Sequence, residues 1–407
     1  MMKIGYSYWG FLGDVKVDAD GNLLSTPDGN AFYSWSIIHR LIADGHDVVQ
    51  IMPDRDRFGY KFLGDGLFRS WCRLAREYAY TKMDKSMYGD DALDVIFNNH
   101  RDLKVDYIFE LFDNAKLYDC DVILHEYRML IPGRNDVATM VSDKDWQPDY
   151  FIQSCLFYYC KQHNIKLVIF DLDYKISENH MQYVKENDNV YIFELGDKHK
   201  GVDRAITVCI PFDFTRMDDF PVSGEFPCTS IQFENNLVYI GNRYERDWCI
   251  DKYIPTEMNG IVVHGNWTES GRDSKERWPE ITFGRRLQTK EMYYTYSRSL
   301  ATILLAKEDY CKYHFMTARI LEAIFYNCVP LFIEEYGEET IKKFAGDYAD
   351  FLTVRSKADV IDKIYYLKYH IKERENIVRY LRGYLYQYMD ICFFTEKLYN
   401  IAFYGRG

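Results

Sequence analysis

The chain has 407 residues, which is too long for one ordinary hydrophobic core and predicts two or three domains. Hydrophobic residues make up 47% and charged residues 28%, a globular composition that excludes a largely disordered chain. The net charge of −12 argues against a protein that coats nucleic acid by charge alone, while leaving room for a local basic strip.

The ten cysteines are scattered, with no CxxC pair and no Cys/His spacing typical of a zinc site. We therefore expect reduced thiols in a cytoplasmic protein. The amino-terminal segment lacks a basic stretch followed by a long apolar run, and no apolar stretch reaches the roughly 18 residues that a membrane helix needs. Neither a signal peptide nor a membrane span is predicted, and we expect a monomer.

The first half alternates predicted strands and helices. A strand at Ile4–Tyr8, a helix at Ala31–Ala43, the turn Gly45-His46 and a strand at Asp47–Met52 form a βαβ unit, which predicts a parallel sheet. Further strands are predicted at Val122–His125, Leu167–Phe170, Val190–Phe193 and Ala205–Ile210. Their polar ends would lie at the carboxyl edge of the sheet, where open α/β folds bind ligands.

A proline-containing, mixed-charge stretch interrupts this alternation, and we place a linker at residues 216–236. A second alternation follows and predicts a second parallel α/β domain. Its predicted strands are Leu237–Ile240, Gly260–His264, Glu280–Phe283, Ala301–Leu305 and Pro330–Ile333, and its helices are Thr289–Ser297 and Thr317–Tyr326. The predicted domains are thus residues 1–215 and 237–385. The tail is predicted to be helical, and residues 386–407 are expected to form a terminal helix that packs back on the first domain.

The second half opens with a strand that ends in Gly241-Asn242-Arg243. A glycine at this position lets a phosphate approach the backbone, and Arg243 would hold that phosphate with two parallel N–H bonds. Arg246 lies one short turn further on as a second cation. The alternative interpretation is a strand-end glycine with surface arginines.

Two later segments point to the same kind of ligand. Phe283-Gly284 ends a strand in a way that suits a flat base lying against the backbone, with a simple strand-to-helix turn as the alternative. Helix Thr317–Tyr326 carries Glu322 on an otherwise apolar face, where a buried carboxylate needs donors. The two hydroxyls of a ribose would supply them, and a salt bridge to Arg319, one helical turn away, is the alternative.

Together these segments resemble the carboxyl-terminal donor domain of retaining GT-B glycosyltransferases, with the glycogen-synthase-like group as the nearest likeness. The resemblance implies an α/β fold of two Rossmann-like domains facing across a cleft, with residues 1–215 on the acceptor side and 237–385 binding the donor. It implies transfer of a hexosyl or pentosyl group, with retention, from a nucleotide-sugar, and we expect a UDP-sugar. No cofactor is required in this reading.

The resemblance also implies individual roles. In that group a strand-end arginine and a nearby lysine bind the donor diphosphate, and a helix glutamate binds the ribose. Arg243 matches that arginine and Glu322 that glutamate, and Lys307 is a candidate for the cation near the sugar phosphate. His314 stands where the group has a second glutamate, so the donor sugar does not carry over. The remaining expected donor-binding residues are Gly241, Arg246, Phe283, Gly284, Thr317 and Ala318.

The first half resembles the same fold more loosely, through a glycine loop, a first helix and a GHxV-like turn. Asp28, Gly29 and Asn30 are therefore expected to line the cleft near sugar or acceptor. His125 and Glu126 end another strand at the same edge. His125 is the candidate for the group near the anomeric carbon, and a strand-end histidine bonded to a backbone carbonyl is its alternative.

Asp171-Leu172-Asp173 follows an apolar strand and has the form of the metal-binding DxD of GT-A glycosyltransferases. Two such carboxylates can clamp Mg²⁺ or Mn²⁺ together with a diphosphate, so a divalent metal is an alternative. The two parallel-sheet halves favour a cleft-facing strand end instead. We therefore assign Asp171 and Asp173 to the acceptor side and expect no metal.

The acceptor is the least determined part. Residues Gly5–Phe11 and Tyr239–Asp247 look similar to phage-encoded glycosyltransferases, some of which modify hydroxymethylated pyrimidines in viral DNA. Double-stranded DNA with modified bases is therefore one expected acceptor, and a glycan, lipid-linked or small molecule is the other. A sugar-nucleotide epimerase and a non-catalytic binding module also stay open. Candidate DNA-contacting cations are Lys198, Lys200, Arg204, Arg272, Lys275, Arg277, Arg285 and Arg286.

Overall fold

A computed structural model describes residues 1–7, 16–17, 23–25, 30–51, 119–127, 156–157, 159–172, 174, 176, 178–214, 233–268, 273–287 and 289–405. The chain divides into two compact units. The first comprises Met1–Gly13, Ser34–Val208 and Cys392–Gly407, and the second comprises Asp14–Tyr33 and Cys209–Ile391.

The strands are β1 Lys3–Ser7, β2 Lys16–Val17, β3 Leu23–Ser25, β4 Asp47–Ile51, β5 Val122–Glu126, β6 Lys166–Asp171, β7 Val190–Glu194, β8 Ala205–Thr207, β9 Asn235–Ile240, β10 Ile261–His264, β11 Thr282–Gly284, β12 Ser299–Leu304, β13 Val329–Ile333 and β14 Thr353–Val354. The α-helices are α1 Asn30–Ala43, α2 Glu178–Glu186, α3 Asp247–Tyr253, α4 Ser274–Arg277, α5 Thr289–Ser297, α6 Glu308–Lys312, α7 Arg319–Phe325, α8 Glu338–Ala345, α9 Ala349–Leu352, α10 Lys357–Tyr369, α11 Ile371–Met389 and α12 Ile391–Tyr404. Short 3-10 turns lie at Glu334–Tyr336 and Gly346–Tyr348.

The first unit is built on a six-stranded sheet of order β4-β1-β5-β6-β7-β8, in which all neighbours are parallel. Its central strands are apolar on both faces, with Ile123, Leu167 and Ile192 fully buried. Strands covered on both faces read as continuous apolar runs, and this is why the sequence predicted them. The expected βαβ unit is present as β1-α1-β4.

One strand of this sheet is shorter than predicted. Strand β8 ends at Thr207 rather than at Ile210. Val208 still donates a backbone hydrogen bond to Glu194, the last residue of β7. Beyond that point the chain has no strand beside it to continue the ladder, so it leaves the sheet.

The second unit contains another parallel six-stranded sheet, of order β11-β10-β9-β12-β13-β14. The sheet begins in its middle: the chain moves outward from β9 to β11 on one side and from β12 to β14 on the other. Its core holds large fully buried aromatic side chains, among them Tyr239, Trp267 and Tyr296. The predicted fold of two parallel α/β halves is confirmed.

The predicted helical tail is also confirmed, as three consecutive helices, α10 to α12. Helix α12 belongs to the first unit, where Phe394 packs against Phe170 and Phe193 with ring centroids 5.2 Å apart in both pairs. Lys166 Nζ donates to the Ala402 carbonyl at 2.7 Å. Within the described part of the chain, no helix combines the length and apolar character that crossing a bilayer requires.

Candidate functional site

The order of the second sheet identifies its ligand-binding edge. Open α/β sheets bind ligands outside the carboxyl ends of the strands, at the point where the strand order reverses. Here that point lies between β9 and β12, which end at Ile240 and Leu304. Gly241 follows β9 directly, and Lys307 follows β12 by three residues. Two of the predicted donor-site residues therefore lie on this edge.

Arg319 occupies the space beside Gly241. Its Nε donates to the Ile240 carbonyl at 2.8 Å, and its Nη1 lies 3.4 Å from Thr317 Oγ1. A Cβ at position 241 would lie 2.7 Å from Arg319 Nε and 2.8 Å from Nη2, so only glycine leaves room for the guanidinium. Among the described residues Nη2 has no hydrogen-bond partner. A guanidinium with an open donor thus lies at the switch point.

The sequence assigned Arg319 only the role of a salt-bridge partner for Glu322. In the structure the guanidinium turns instead toward the end of β9, and the ring of Tyr239 lies 5.5 Å from it. Burial opposes its charge, but Tyr239 and Glu322 more than offset this, so the pKa of Arg319 is raised and the side chain stays protonated. Its place in the first turn of the helix that leads into β13 was the available signal.

Glu322 lies one turn further along α7 and is 9% exposed. It lines a small pocket with Ala318, Leu321 and Phe325. Burial, followed by the nearby Glu322 carboxylate, raises the pKa of the Tyr326 phenol. Hydrogen bonds to an ionised group are stronger than neutral ones, so α7 carries a charged acceptor in Glu322 and a charged donor in Arg319.

Arg243 requires a correction. Its Nε and Nη2 donate to the two oxygens of Asp247 at 2.7 and 2.6 Å, and its Nη1 donates to Asp273 at 2.8 Å. These pairs raise the pKa of Arg243, against the effect of burial. Two carboxylates neutralise the guanidinium and would repel a phosphate placed beside it. The structure therefore gives Arg243 carboxylate partners in place of the open guanidinium that the sequence predicted, and its role at the diphosphate stays a prediction.

Arg246, the second predicted cation, is 3% exposed. It donates to the carbonyls of Asn242 at 3.2 Å, Tyr244 at 3.0 Å and Leu305 at 3.4 Å. Its N–H groups therefore hold the loops after β9 and β12 together. Carbonyl groups take up the N–H donors that were predicted for a ligand, and direct ligand binding by Arg246 stays a prediction.

Lys307, Thr317 and Ala318 lie where the prediction placed them. Lys307 is the N-cap residue of α6, and its Nζ lies 3.9 Å from Glu245 Oε2 and 5.3 Å from the centroid of the Tyr310 ring. Thr317 and Ala318 are buried and lead directly into α7. Their roles at the donor stay predictions.

The end of β11 carries the predicted base-binding pair, Phe283 and Gly284. Phe283 is half-buried, stacks on Trp267 at 5.9 Å and lies 6.1 Å from Trp278, so at least one face of its ring is taken by protein. Its role in binding a base stays a prediction. Gly284 does permit a close approach, but of protein: a Cβ there would lie 2.3 Å from His264 Nδ1.

The carboxyl edge of the first sheet holds several predicted cleft residues. His125 is buried, with Nδ1 3.0 Å from Ser7 Oγ, and the buried Glu126 accepts a hydrogen bond from the Tyr6 hydroxyl. Asp171 Oδ2 lies 3.0 Å from His199 Nε2. The structure thus brings these side chains to one sheet edge, each with a protein partner.

The other cleft predictions fall on residues that the structure does not describe, or describes only in part. Asp28, Gly29 and Asp173 lie outside the described residues. Asn30 is the first residue of α1, and its side chain is not described. Within the described part of the chain, no group of three or more His, Cys, Asp or Glu is placed to hold a metal ion.

Most of the predicted DNA-contacting cations have local partners. Arg204 donates to the Val184 and Val190 carbonyls, and Lys198 donates to the Tyr174 carbonyl. Arg277 pairs with Asp247 and Asp251, and Arg285 pairs with Glu291. Arg272 lies outside the described residues. These side chains do not form the open basic strip that the sequence suggested.

Comparison with known proteins adds to this geometry. Residues 246–388 match the protein family described as "Glycosyl transferase-like". No curated protein sequence matches the chain. A structure of T4 phage beta-glucosyltransferase is similar, with a TM-score of 0.56 and 14% identity over 98% of this chain and 99% of that one.

Two further solved structures cover the same shares of both chains. T4 phage BGT in complex with UDP and Mn²⁺ has a TM-score of 0.55 at 15% identity. Anabaena Alr3699/HepE in complex with UDP-glucose has a TM-score of 0.51 at 9% identity. The predicted resemblance to GT-B glycosyltransferases is confirmed: the chain has their two-domain fold, and residues 246–388 match a glycosyltransferase-like family.

Proposed function

We propose that the chain is a glycosyltransferase that binds a UDP-sugar at the carboxyl edge of its second sheet and transfers the sugar to an acceptor hydroxyl. The observation that carries this proposal is the Arg319 guanidinium, fitted beside Gly241 at the β9/β12 switch point with Nη2 open. Glu322, on the same helix, is the second element.

In the proposed complex the diphosphate lies beside Gly241 and accepts hydrogen bonds from Arg319. The Ile240 carbonyl holds Nε at 2.8 Å, so the rest of the guanidinium is oriented before the ligand arrives. Such preorganised donors are worth most where charge develops in the transition state. Glu322, one turn away, accepts the ribose hydroxyls.

The chemistry needs few side chains. As the glycosidic bond to the diphosphate breaks, the sugar gains positive character and negative charge builds on the leaving group. Arg319 stabilises that charge, and Lys307 adds a second cation near it. Retention, expected from the glycogen-synthase-like resemblance, stays a prediction, and the anomeric configuration of the product decides it.

We propose a hydroxymethylated pyrimidine in duplex DNA as the acceptor. Support comes from a structure described as that of the DNA modifying enzyme beta-glucosyltransferase, which is similar over 98% of this chain and 99% of that one at a TM-score of 0.56 and 14% identity. Such an enzyme must turn the target base out of the helix. A glycan or small molecule is the alternative acceptor, favoured by the local pairing of most predicted DNA cations.

A donor screen tests the proposal. The purified chain is incubated with UDP-sugars, with and without hydroxymethylcytosine-containing duplex DNA, and released UDP is measured. We expect release that DNA stimulates and that persists in EDTA. Donor conversion without an acceptor would indicate an epimerase, and UDP binding without release from any UDP-sugar would indicate a binding module. Loss of release in EDTA would contradict the metal-independent mechanism.

Arg319→Ala tests the placement of the donor. Removing one transition-state donor costs roughly 3 kcal/mol, so we expect turnover to fall about 100-fold. Arg319→Lys should retain part of the activity, because a point charge replaces the fork. Arg298→Ala is the matched control, since Arg298 is exposed and pairs with Glu234. Unchanged turnover in Arg319→Ala would overturn this placement.

A further inference from the structure

His264 ends β10 and pairs across the sheet with Gly284, the last residue of β11. Its half-buried imidazole packs on the glycine, where a Cβ would lie 2.3 Å from Nδ1 and 2.4 Å from Cε1. The ring therefore has a fixed place at the carboxyl edge. No role was assigned to it from the sequence.

The hydrogen bond of this ring fixes its tautomer. Nδ1 lies 3.2 Å from the Arg285 carbonyl oxygen, which can only accept, so Nδ1 carries the proton. The neutral ring then presents Nε2 as a lone-pair acceptor, and among the described residues Nε2 has no hydrogen-bond partner. One acceptor is thus left facing away from Gly284.

The surroundings keep the imidazole neutral. Burial lowers the pKa of His264 below its ordinary value, and the hydrogen bond to the Arg285 carbonyl, which raises it, offsets only part of this effect. Of the neighbouring charged groups, Arg285 lowers it further and Glu291 raises it, and these two side chains pair with each other. At neutral pH the Nε2 lone pair is therefore present.

Building on the proposed function, we propose that His264 selects uridine by accepting a hydrogen bond from N3–H of the uracil ring at Nε2. Uracil carries a donor at this position, whereas cytosine carries a lone pair that would face the lone pair of Nε2. His264 is thus a specificity-determining residue for the nucleotide base, acting beside the diphosphate site rather than in the transfer step.

The place in the sheet agrees with this role. The diphosphate is proposed beside Gly241 at the end of β9, and β10 and β11 are the next two strands on one side. Two strand spacings cover roughly 10 Å, which is on the scale of a nucleoside. A base reaching from β9 toward β11 would therefore meet His264.

A chemical mutant cycle tests the contact directly. Calorimetry measures the affinities of wild type and His264→Ala for UDP and for N3-methyl-UDP, in which a methyl group replaces the imide proton. We expect methylation to weaken binding to the wild type about tenfold and to His264→Ala about twofold or less. His264→Gln, which keeps an acceptor, should restore part of the discrimination. His163→Ala, a partly exposed histidine of the first unit, is the control.

The pH dependence gives a second readout. Protonation turns Nε2 into a donor, which suits cytosine N3 better than uracil N3–H. Because the pKa of His264 is lowered, this change should begin below about pH 6.5. The ratio of UDP to CDP affinity should therefore fall from pH 7 to pH 5 in the wild type and stay flat in His264→Ala.

The outcomes separate this inference from the proposed function. Equal discrimination against N3-methyl-UDP in wild type and His264→Ala would overturn the role of His264, while Arg319-dependent UDP binding would still stand. A wild type that binds no UDP would overturn both. Loss of discrimination in His264→Ala and its partial return in His264→Gln support the inference.

Discussion

The two sheets have the same parallel architecture, but their carboxyl edges differ. In the first sheet the described polar side chains at this edge are bonded to one another: His125 to Ser7, Glu126 to Tyr6, and Asp171 to His199. In the second sheet Arg319 keeps an open Nη2, and the Tyr239 hydroxyl is buried without a hydrogen-bond partner among the described residues.

This difference indicates where a charged ligand is bound. Buried polar groups are normally satisfied, and an unpaired donor costs about 1–3 kcal/mol unless something accepts from it. At the second edge Arg319 Nη2 and the Tyr239 hydroxyl are unpaired among the described residues, in the space that the missing side chain of Gly241 provides. The first edge shows no comparable opening in its described residues. The comparison therefore supports our proposal that the donor binds at the second sheet.

Gly241→Ala should have the largest effect on UDP binding, because the added methyl group fills the space at the carboxyl edge of the second sheet. The added Cβ would lie within 2.5 Å of the Tyr239 hydroxyl and 2.7 Å of Arg319 Nε, so the guanidinium must move. We expect UDP affinity to fall about 100-fold, on the scale of losing one preorganised charged donor. Calorimetry measures the loss.

Gly383→Ala is the matched control for this change, since a Cβ there has no atom within 4 Å and lies in helix α11. Thermal unfolding of both variants separates lost binding from lost folding. If Gly241→Ala binds UDP as tightly as the wild type, the diphosphate does not lie beside Gly241.

Glu322→Gln should have an intermediate effect. The amide keeps the size of the side chain but loses the charge, and hydrogen bonds to charged groups are the stronger ones. We expect UDP affinity to fall about tenfold, and the difference between UDP and 2′-deoxy-UDP to shrink in the variant. Isothermal titration with both nucleotides gives the comparison. Equal discrimination in wild type and variant would remove Glu322 from the ribose.

The fold could be predicted from the sequence because its signals are local. Strands covered on both faces appear as apolar runs, and the intervening helices make the strands parallel. Boundaries were less accurate: helix α7 begins at Arg319, not at Thr317, and β8 stops at Thr207. Where an element ends depends on whether a neighbour continues the ladder, and the sequence does not contain that information locally.

The sequence did not predict how the arginines of the candidate site pair. Asp247 lies four residues after Arg243, a spacing from which the ion pair could have been suspected. The second partner, Asp273, is thirty positions away, and no local pattern indicates it. Arg319 was misassigned for the same reason, because the direction of its side chain depends on the close approach at Gly241. Which arginine keeps an unpaired guanidinium donor is decided by tertiary contacts and not by the local sequence.

The last prediction concerns stability rather than ligand binding, at the closed edge of the first unit and in its response to acid. His180 is buried, with Nδ1 2.8 Å from the Tyr127 hydroxyl. Burial, followed by the nearby His125, lowers the pKa of His180 to about 3. The unfolded chain has the ordinary value near 6.5, so it binds more protons than the native state between these values. The contribution of neutral His180 to the free energy of unfolding is therefore fully present above about pH 6.5 and is lost as the pH falls toward 3.

Hydrogen exchange resolved along the chain tests this assignment. One proton corresponds to roughly 1.4 kcal/mol per pH unit, so between pH 6.5 and pH 5 the free energy of opening β5 and β6 should fall by about 2 kcal/mol. His180→Phe should weaken the dependence of this free energy on pH, even where the substitution lowers stability at pH 7. His163→Ala should leave the pH dependence unchanged. If the slope survives in His180→Phe, the acid sensitivity of the first unit comes from other groups.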